Sequence, residues 1–374
     1  MRFLILNTDY PEFLRWLYSQ HEGLEHRPYA EQMRMRVDSL FGVADFYSSN
    51  LRKLGHEAWD LHLNNEAMQR AWGSEHGVTL PGPRRSLRFR LRRRVVPWAS
   101  IVVDQAWMRP TLAKQIQHYK PDVILNQDLR AVDAQFLKQT DPGVRLVIGQ
   151  CAAPLSKSVS LRGYDLMISS LPNFVQRFRR EGLKAELHRL AFEPRVLEVL
   201  DKPKESIAAS FVGTLSRDHR ARVQLMEHLC QRTPLLVWGQ GVKNLPSNSP
   251  IHNRYRGAAW GKPMYDILRD SRVTVNHHIG IARQFANNLR LFEATGVGTL
   301  LVTDWKENLQ EMFEPGQEVL TYRTPAECAA LVQHYSNQPQ EAAGIGCEGQ
   351  RRTLREHTYA RRMQELMDIL RERL

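Results

Sequence analysis

The chain has 374 residues, enough for two α/β domains of ordinary size, each with its own core. Apolar residues make up 42% and charged residues 25%, which excludes a disordered tail, and no apolar run approaches the roughly 20 residues that span a bilayer. With 52 Lys plus Arg against 40 Asp plus Glu the net charge is +12, a balance that favours nucleotides, anionic lipid surfaces, acidic glycans or nucleic acid.

In the first half, apolar runs alternate with segments of helical period, the signature of a parallel sheet with crossover helices. Strands are predicted at 2–6, 56–61, 122–126, 145–148, 166–169 and 186–190, and helices at 32–54, 100–119, 131–139 and 173–181. The opening MRFLILN reads as a buried strand, too short and too quickly polar for a signal peptide. Polar groups close three of these strands: Asn7, Thr8, Asp9 and Tyr10; Asn126, Gln127 and Asp128; Gln150 and Cys151. Ligands of open α/β sheets bind at the carboxyl ends of strands, so these groups suggest a hydroxyl-rich ligand.

Seven arginines crowd into the run from Arg84 to Arg94 (RRSLRFRLRRR). Leu87, Leu91 and Val95 recur four apart, with Arg84, Arg88 and Arg92 on another stripe, so an amphipathic basic helix is expected across 84–119. Two readings fit it: a helix on the N-terminal sheet with its arginine stems in water, or a surface for peripheral contact with an anionic membrane. Phe89 is the one aromatic within the run, unlike the interleaved aromatics of single-strand binders, so no nucleic acid partner is expected.

Residues 191–204 are polar and carry Pro194 and Pro203, which reads as an interdomain linker. A second alternation follows, with strands at 209–212, 235–238, 273–276 and 299–302 and helices at 220–231, 263–270 and 288–295. Three helices, 325–336, 340–355 and 359–374, close the chain. The coarse architecture is two Rossmann-like halves joined by a hinge. The four cysteines, Cys151, Cys230, Cys328 and Cys347, are widely spaced and form no CxxC pair, which fits reduced thiols in a cytoplasmic protein and no zinc site.

The most informative stretch is Asn287, Asn288, Leu289, Arg290, Leu291, Phe292, Glu293, ahead of the apolar run GTLLVTD. A polar loop entering a short amphipathic helix leaves free backbone N–H groups and positive dipole density at the helix start, which suits a diphosphate. Glu293, three residues after Arg290, is placed to reach a sugar hydroxyl. Gly213 ends a strand, where a glycine lets backbone approach a ligand, and Arg217, His219, Arg220 and Arg222 follow it; the alternative is a plain turn. Trp260, in the loop YRGAAWGKPMY, could stack on a base or plug the core edge. Asn276, His277 and His278 end a strand, and adjacent side chains of an extended chain face opposite sides, so one histidine is expected at the cleft and no metal pair. The chain has no nucleophile elbow, Walker loop, GxGxxG, HExxH or Asp-x-Asp.

These residues carry a family resemblance. Phe211-Val212-Gly213, Tyr255-Arg256-Gly257, Trp260-Gly261, Met264-Tyr265, Val275-Asn276, Asn288 through Ala294, Leu301-Val302-Thr303-Asp304, Phe313-Glu314-Pro315-Gly316 and His357-Thr358-Tyr359 with Arg362 resemble the CgeB-like (spore-maturation type) glycosyltransferases of the two-domain GT-B superfamily. The likeness covers about 213–370, extends to 164–194 and is loose over 1–150. It implies an N-terminal acceptor domain at 1–192 joined by a crossover helix at 357–374, a linker at 193–205 and a C-terminal sugar-nucleotide domain at 206–356.

By that resemblance Glu293 holds the ribose, the amides at Asn287, Asn288 and Leu289 with Arg290 face the diphosphate, and Gly213 and Arg217 line the opposite phosphate wall. Trp260, Asn276 and His277 complete the donor set. Retaining relatives often carry a Glu eight residues before the ribose-binding Glu; here that position is Phe285. The implied activity is metal-independent transfer, with retention, from a nucleoside-diphosphate sugar (a UDP-sugar is expected) to a hydroxyl of a glycan, lipid-linked or small-molecule acceptor. Asp9, Asp128 and His21 are candidate bases. The alternatives are a sugar-nucleotide epimerase, a phosphorylase, or a non-enzymatic binder using the basic run.

Overall fold

The computed structural model describes residues 1–373 apart from 82–83, 93–95, 105–106, 157 and 217–218. Strands β1 (Arg2–Asn7) and β2 (Glu57–His62) precede a hairpin of β3 (Arg84–Arg92) and β4 (Val96–Asp104). Strands β5 (Val123–Asn126), β6 (Leu146–Gln150), β7 (Leu166–Ser169) and β8 (Ala185–Leu187) complete the first half. Six of these pair in the order β2-β1-β5-β6-β7-β8, every pair parallel. Runs such as FLIL and VIL are buried throughout because helices cover both faces of a parallel sheet.

The second half gives β9 (Ile207–Val212), β10 (Leu235–Trp238), β11 (Ser271–Asn276), β12 (Leu300–Asp304) and β13 (Leu320–Tyr322). They form another parallel sheet in the order β10-β9-β11-β12-β13. Strand order reverses between β1 and β5 in one sheet and between β9 and β11 in the other. Crevices for ligands open at the carboxyl ends of strands at such reversals.

Two passages of chain join the lobes side by side. The Phe192 N–H donates to the His357 carbonyl at 2.8 Å, and the Tyr359 N–H to the Phe192 carbonyl at 3.0 Å. The closing helix Tyr359–Arg371 then lies on the helix Phe46–Lys53 of the first lobe, with the Tyr359 ring 5.2 Å from Phe46 and 5.6 Å from Tyr47. One apolar cluster runs from Phe3 and Ile5 through Phe192, Tyr265 and Tyr359 to Phe292 and Leu301, so the lobes share a core. Residues 193–199 are less free than a linker reading suggests. Glu193 accepts from the Asn50 side chain at 2.7 Å, and Arg195 pairs with Asp45 at 2.6 Å.

Two expectations fail. The helix expected over 32–54 is two helices, Tyr29–Asp38 and Phe46–Lys53, broken by a turn in which Leu40, Gly42 and Ala44 have φ of 56°, 66° and 37°. No single helix spans 84–119: β3 pairs antiparallel with β4, and the helix begins at Met108. Leu87, Phe89 and Leu91 also fit a period of two, and the β-branched and aromatic partner VPWASIVVD favours a strand over a helix. Arg93 and Arg94 lie outside the described residues. The helices Pro11–Gln20 and Glu66–Glu75 and strand β13 were not anticipated.

Candidate active site

At the mouth of the second sheet, the loops after β9 and β10 are knitted together. The Gly213 N–H donates to the Trp238 carbonyl at 3.0 Å, and the Gly239 N–H to the Gly257 carbonyl at 2.9 Å. Gly239 has φ 132°, and a Cβ there would sit 1.9 Å from the Gly213 carbonyl oxygen, so only glycine permits this approach. The loops wall a cavity of about 140 Å³ between the lobes. Gly213, Gly239, Ala259, Trp260 and Arg290 line it from one side, Tyr10 and Phe41 from the other. Trp260 packs edge-on to Phe41 at 4.8 Å and reaches Phe13 and Tyr10, so it is both a wall of the cavity and a plug against the first lobe. Tyr10 was legible at the end of β1; Phe41 sits in the positive-φ turn, and no sequence signal marked it.

Arg290 enters this cavity from the helix Leu289–Gly296, which Asn288 caps by accepting from the Leu291 N–H at 3.1 Å. The Asn288 amide in turn donates to Asn276 at 2.7 Å, and Asn276 to Thr303 at 2.9 Å, which ties the helix start to the ends of β11 and β12. Asn287 and Leu289 flank the cap. Glu293 stands one turn on and pairs with Arg290 at 3.0 Å, the side chains being 13% and 6% exposed. Burial raises the Glu293 carboxyl above its ordinary range, against the pull of Arg290 and a hydrogen bond from Tyr265. Arg290 therefore faces the cavity, whereas Glu293 faces Arg290 and Tyr265, because positions i and i+3 share one helix face. The Arg290 Nε and Nη1 atoms have no hydrogen-bond acceptor at good geometry.

The paired histidines do not alternate, because β11 ends at Asn276 and both lie in the following loop. His278 Nδ1 is 2.7 Å from Asp304 and that of His277 3.9 Å from the same carboxylate. His277 also meets the Tyr322 hydroxyl at 3.0 Å, and its carbonyl accepts from Arg222 at 2.7 Å. It lines a different cavity, of about 500 Å³, at the ends of β12 and β13. Burial pulls the Arg222 pKa down to about 10. Arg217 lies outside the described residues.

In the first lobe the Asp9 carboxylate is enclosed. Arg36 holds one oxygen at 2.7 and 2.9 Å, and His62 Nδ1 lies 2.9 Å from the other. Burial pushes this carboxyl up, but His62 and Arg36 outweigh it and hold it well below the usual carboxylate range. A group so placed is a poor proton acceptor. Asp128, half-buried at the end of β5, accepts from the Thr8 hydroxyl at 2.8 Å, and His21 is exposed beyond the helix Pro11–Gln20. Thr8, next in the chain to Asp9, thus ties Asp128 to the end of β1, whereas His21 is exposed past the first helix. Phe285 packs with Ile281 and Ala282 against the apolar cluster of the first lobe, so this loop is an interlobe contact rather than a polar lip.

Comparisons accord with this geometry. The sequence model of a family described as glycosyl transferase-like matches residues 217–368. A search of curated proteins gave no match. Among solved structures, HepE of Anabaena in complex with UDP-glucose is 12% identical, covers 100% of both chains and has a TM-score of 0.61. Sucrose-phosphate synthase of Thermosynechococcus elongatus is 11% identical with a TM-score of 0.58, covering 100% of this chain and 98% of its own. A glycosyltransferase of Rickettsia africae is 12% identical with a TM-score of 0.56, covering 99% and 98%. The fold is GT-B: two parallel α/β sheets facing each other across a cleft, with the last helix returned to the first lobe. The family match lies within the second half of the chain, and the whole-chain likeness shows the fold.

Proposed function

We propose that this chain transfers a sugar from a UDP-sugar to an acceptor hydroxyl, and that the donor occupies the cavity walled by Gly213, Gly239, Trp260 and Arg290. The observation that carries the reading is Arg290: an under-partnered guanidinium, held by a buried carboxylate, at the start of a helix and in the wall of an interlobe cavity. Solved structures of HepE, which shares the fold, hold UDP and UDP-glucose, which supports UDP as the nucleotide.

In this reading the departing diphosphate gathers negative charge as the anomeric carbon gains positive charge. Arg290 and the amides at Asn288 and Leu289, at the start of the helix, stabilise it in place of a divalent cation, with Arg217 a further contributor on the strength of the sequence alone. Glu293 acts on the donor through Arg290, as its counter-ion and positioning group. Residues 1–192 with 357–374 hold the acceptor, and 206–356 hold the donor. Juxtaposing the two lowers the entropic cost, and the aromatic seam of Trp260, Phe41 and Phe13 excludes water from the donor. Asp128 is the better placed candidate base, since Asp9 is engaged by Arg36 and His62. We further place the chain among CgeB-like enzymes, with retention of configuration. The acceptor is a hydroxyl of a glycan, a lipid-linked saccharide or a small molecule, and a membrane-borne acceptor would give the basic hairpin strand Arg84–Arg92 a docking role.

The test is UDP release from a panel of UDP-sugars with EDTA present, with and without mixed saccharide acceptors. Acceptor-stimulated release that survives EDTA is expected. Turnover of donor with no acceptor, or activity that returns only with a divalent cation, would contradict it.

A further inference from the structure

Another cavity, of about 400 Å³, lies in the first lobe and is not part of the interlobe site. Four elements build it: the helix Tyr29–Asp38, the helix Phe46–Lys53, the edge strand β2 and the end of the helix Met108–Tyr119. Tyr29, Trp59 and Tyr119 supply aromatic walls, with the Trp59 and Tyr119 rings 5.0 Å apart.

Asp60 lies at its base. The residue is only 7% exposed, yet it takes part in no ion pair among the described residues. Its Oδ1 accepts from the Asn7 side chain at 3.0 Å, and its Oδ2 has no hydrogen-bond partner. Burial pushes the carboxyl up to about 6; Ser48 and the nearby His62 moderate that rise, although the Ser48 hydroxyl is directed at the Asp45 carbonyl at 3.3 Å. Two of the neighbouring charges, Asp45 and Arg52, are matched. Asp45 is taken by Arg195 at 2.6 Å and Arg52 at 3.5 Å, while Arg34 and Asp38 stand exposed at the rim. Asp60 is the charge in this lining that is buried without an ion pair among the described residues.

We propose that this cavity binds a small primary ammonium group, which donates to Asp60 Oδ2 and rests against the rings of Tyr29, Trp59 and Tyr119. An ionised carboxylate left buried and unpaired is costly, and a ligand cation removes that cost. Aromatic faces attract the same cation, most strongly where water is excluded. A neutral hydroxyl could fill the same space but would leave the negative charge unbalanced. The site is separate from the donor cavity, so it stands or falls independently of the glycosyltransferase reading.

Titration calorimetry at neutral pH tests the assignment with three probes: isopentylamine, its uncharged counterpart isopentanol, and glucose. The expected result is saturable one-to-one binding of the amine, with isopentanol and glucose bound at least about tenfold more weakly, the worth of one charge-assisted contact. Asp60→Asn should weaken amine binding by about the same factor and leave UDP binding unchanged. Trp59→Leu, at the wall rather than the base, should weaken it severalfold and serves if Asp60→Asn does not fold. No amine binding to the parent protein, equal binding of amine and alcohol, preference for glucose, or an unaltered Asp60→Asn would each overturn the proposal.

Discussion

Gly261 offers a sharp test of how the lobes meet. It sits at φ 54°, and a Cβ built on it would lie 2.0 Å from the backbone oxygen of Ser39, across the cleft. The next residue, Lys262, donates its N–H to that same oxygen at 3.1 Å. Gly261→Ala must therefore push the Ser39 turn back by roughly 1.4 Å to restore ordinary contact. That retreat breaks the Lys262–Ser39 bond and loosens Trp260 from Phe41. The left-handed backbone costs an alanine about 1–2 kcal/mol and the lost hydrogen bond about 1 kcal/mol, so a total of about 2–3 kcal/mol is expected. Urea unfolding gives the stability and calorimetry the UDP affinity, which should fall about tenfold as the aromatic wall moves. A Gly261→Ala protein that unfolds at the parental urea concentration and binds UDP as before would refute the closed interlobe seam.

Three further outcomes concern individual side chains. Asp9→Asn leaves Arg36 and His62 buried without their carboxylate, and should cost about 3–5 kcal/mol of stability; loss of turnover with unchanged melting would instead restore Asp9 as a catalytic base. Burial holds His188 down to about 3 and His357 to about 4, against 6.5 unfolded. The folded protein thus binds fewer protons than the unfolded chain between those limits, and stability should fall as pH drops below 6.5, by about 3 kcal/mol per histidine at pH 4. A urea midpoint flat from pH 7 to about pH 4.5 would count against this. Phe285→Glu places a charge in the interlobe apolar contact, and should destabilise by about 1–3 kcal/mol without improving donor turnover, read by thermal melting and UDP release.

Much of the fold was legible because parallel strands buried on both faces write themselves as short apolar runs between helical segments. Strands β7 and β10 fall where those runs fall, and the helix Pro325–Ser336 opens on its proline. The hairpin of β3 and β4 was misread because the basic run satisfies periods of both two and four, and only pairing decides between them. The break between the helices Tyr29–Asp38 and Phe46–Lys53 was invisible because two of its left-handed residues are Leu40 and Ala44, not glycines. In the site, Gly213, Trp260 and Arg290 carried a local signal and do meet at one cavity. The partners of Glu293 and Asp9 did not, since Tyr265, Arg36 and His62 come from remote segments whose approach depends on tertiary packing.

The central claim is that Arg290 carries the donor's diphosphate. Calorimetric titration of UDP and of uridine into the parent protein and Arg290→Ala tests it most directly. UDP should bind the parent well and Arg290→Ala at least about tenfold more weakly, with uridine, which lacks the phosphates, equally weak for both. Equal UDP affinity in a folded Arg290→Ala protein would contradict the account.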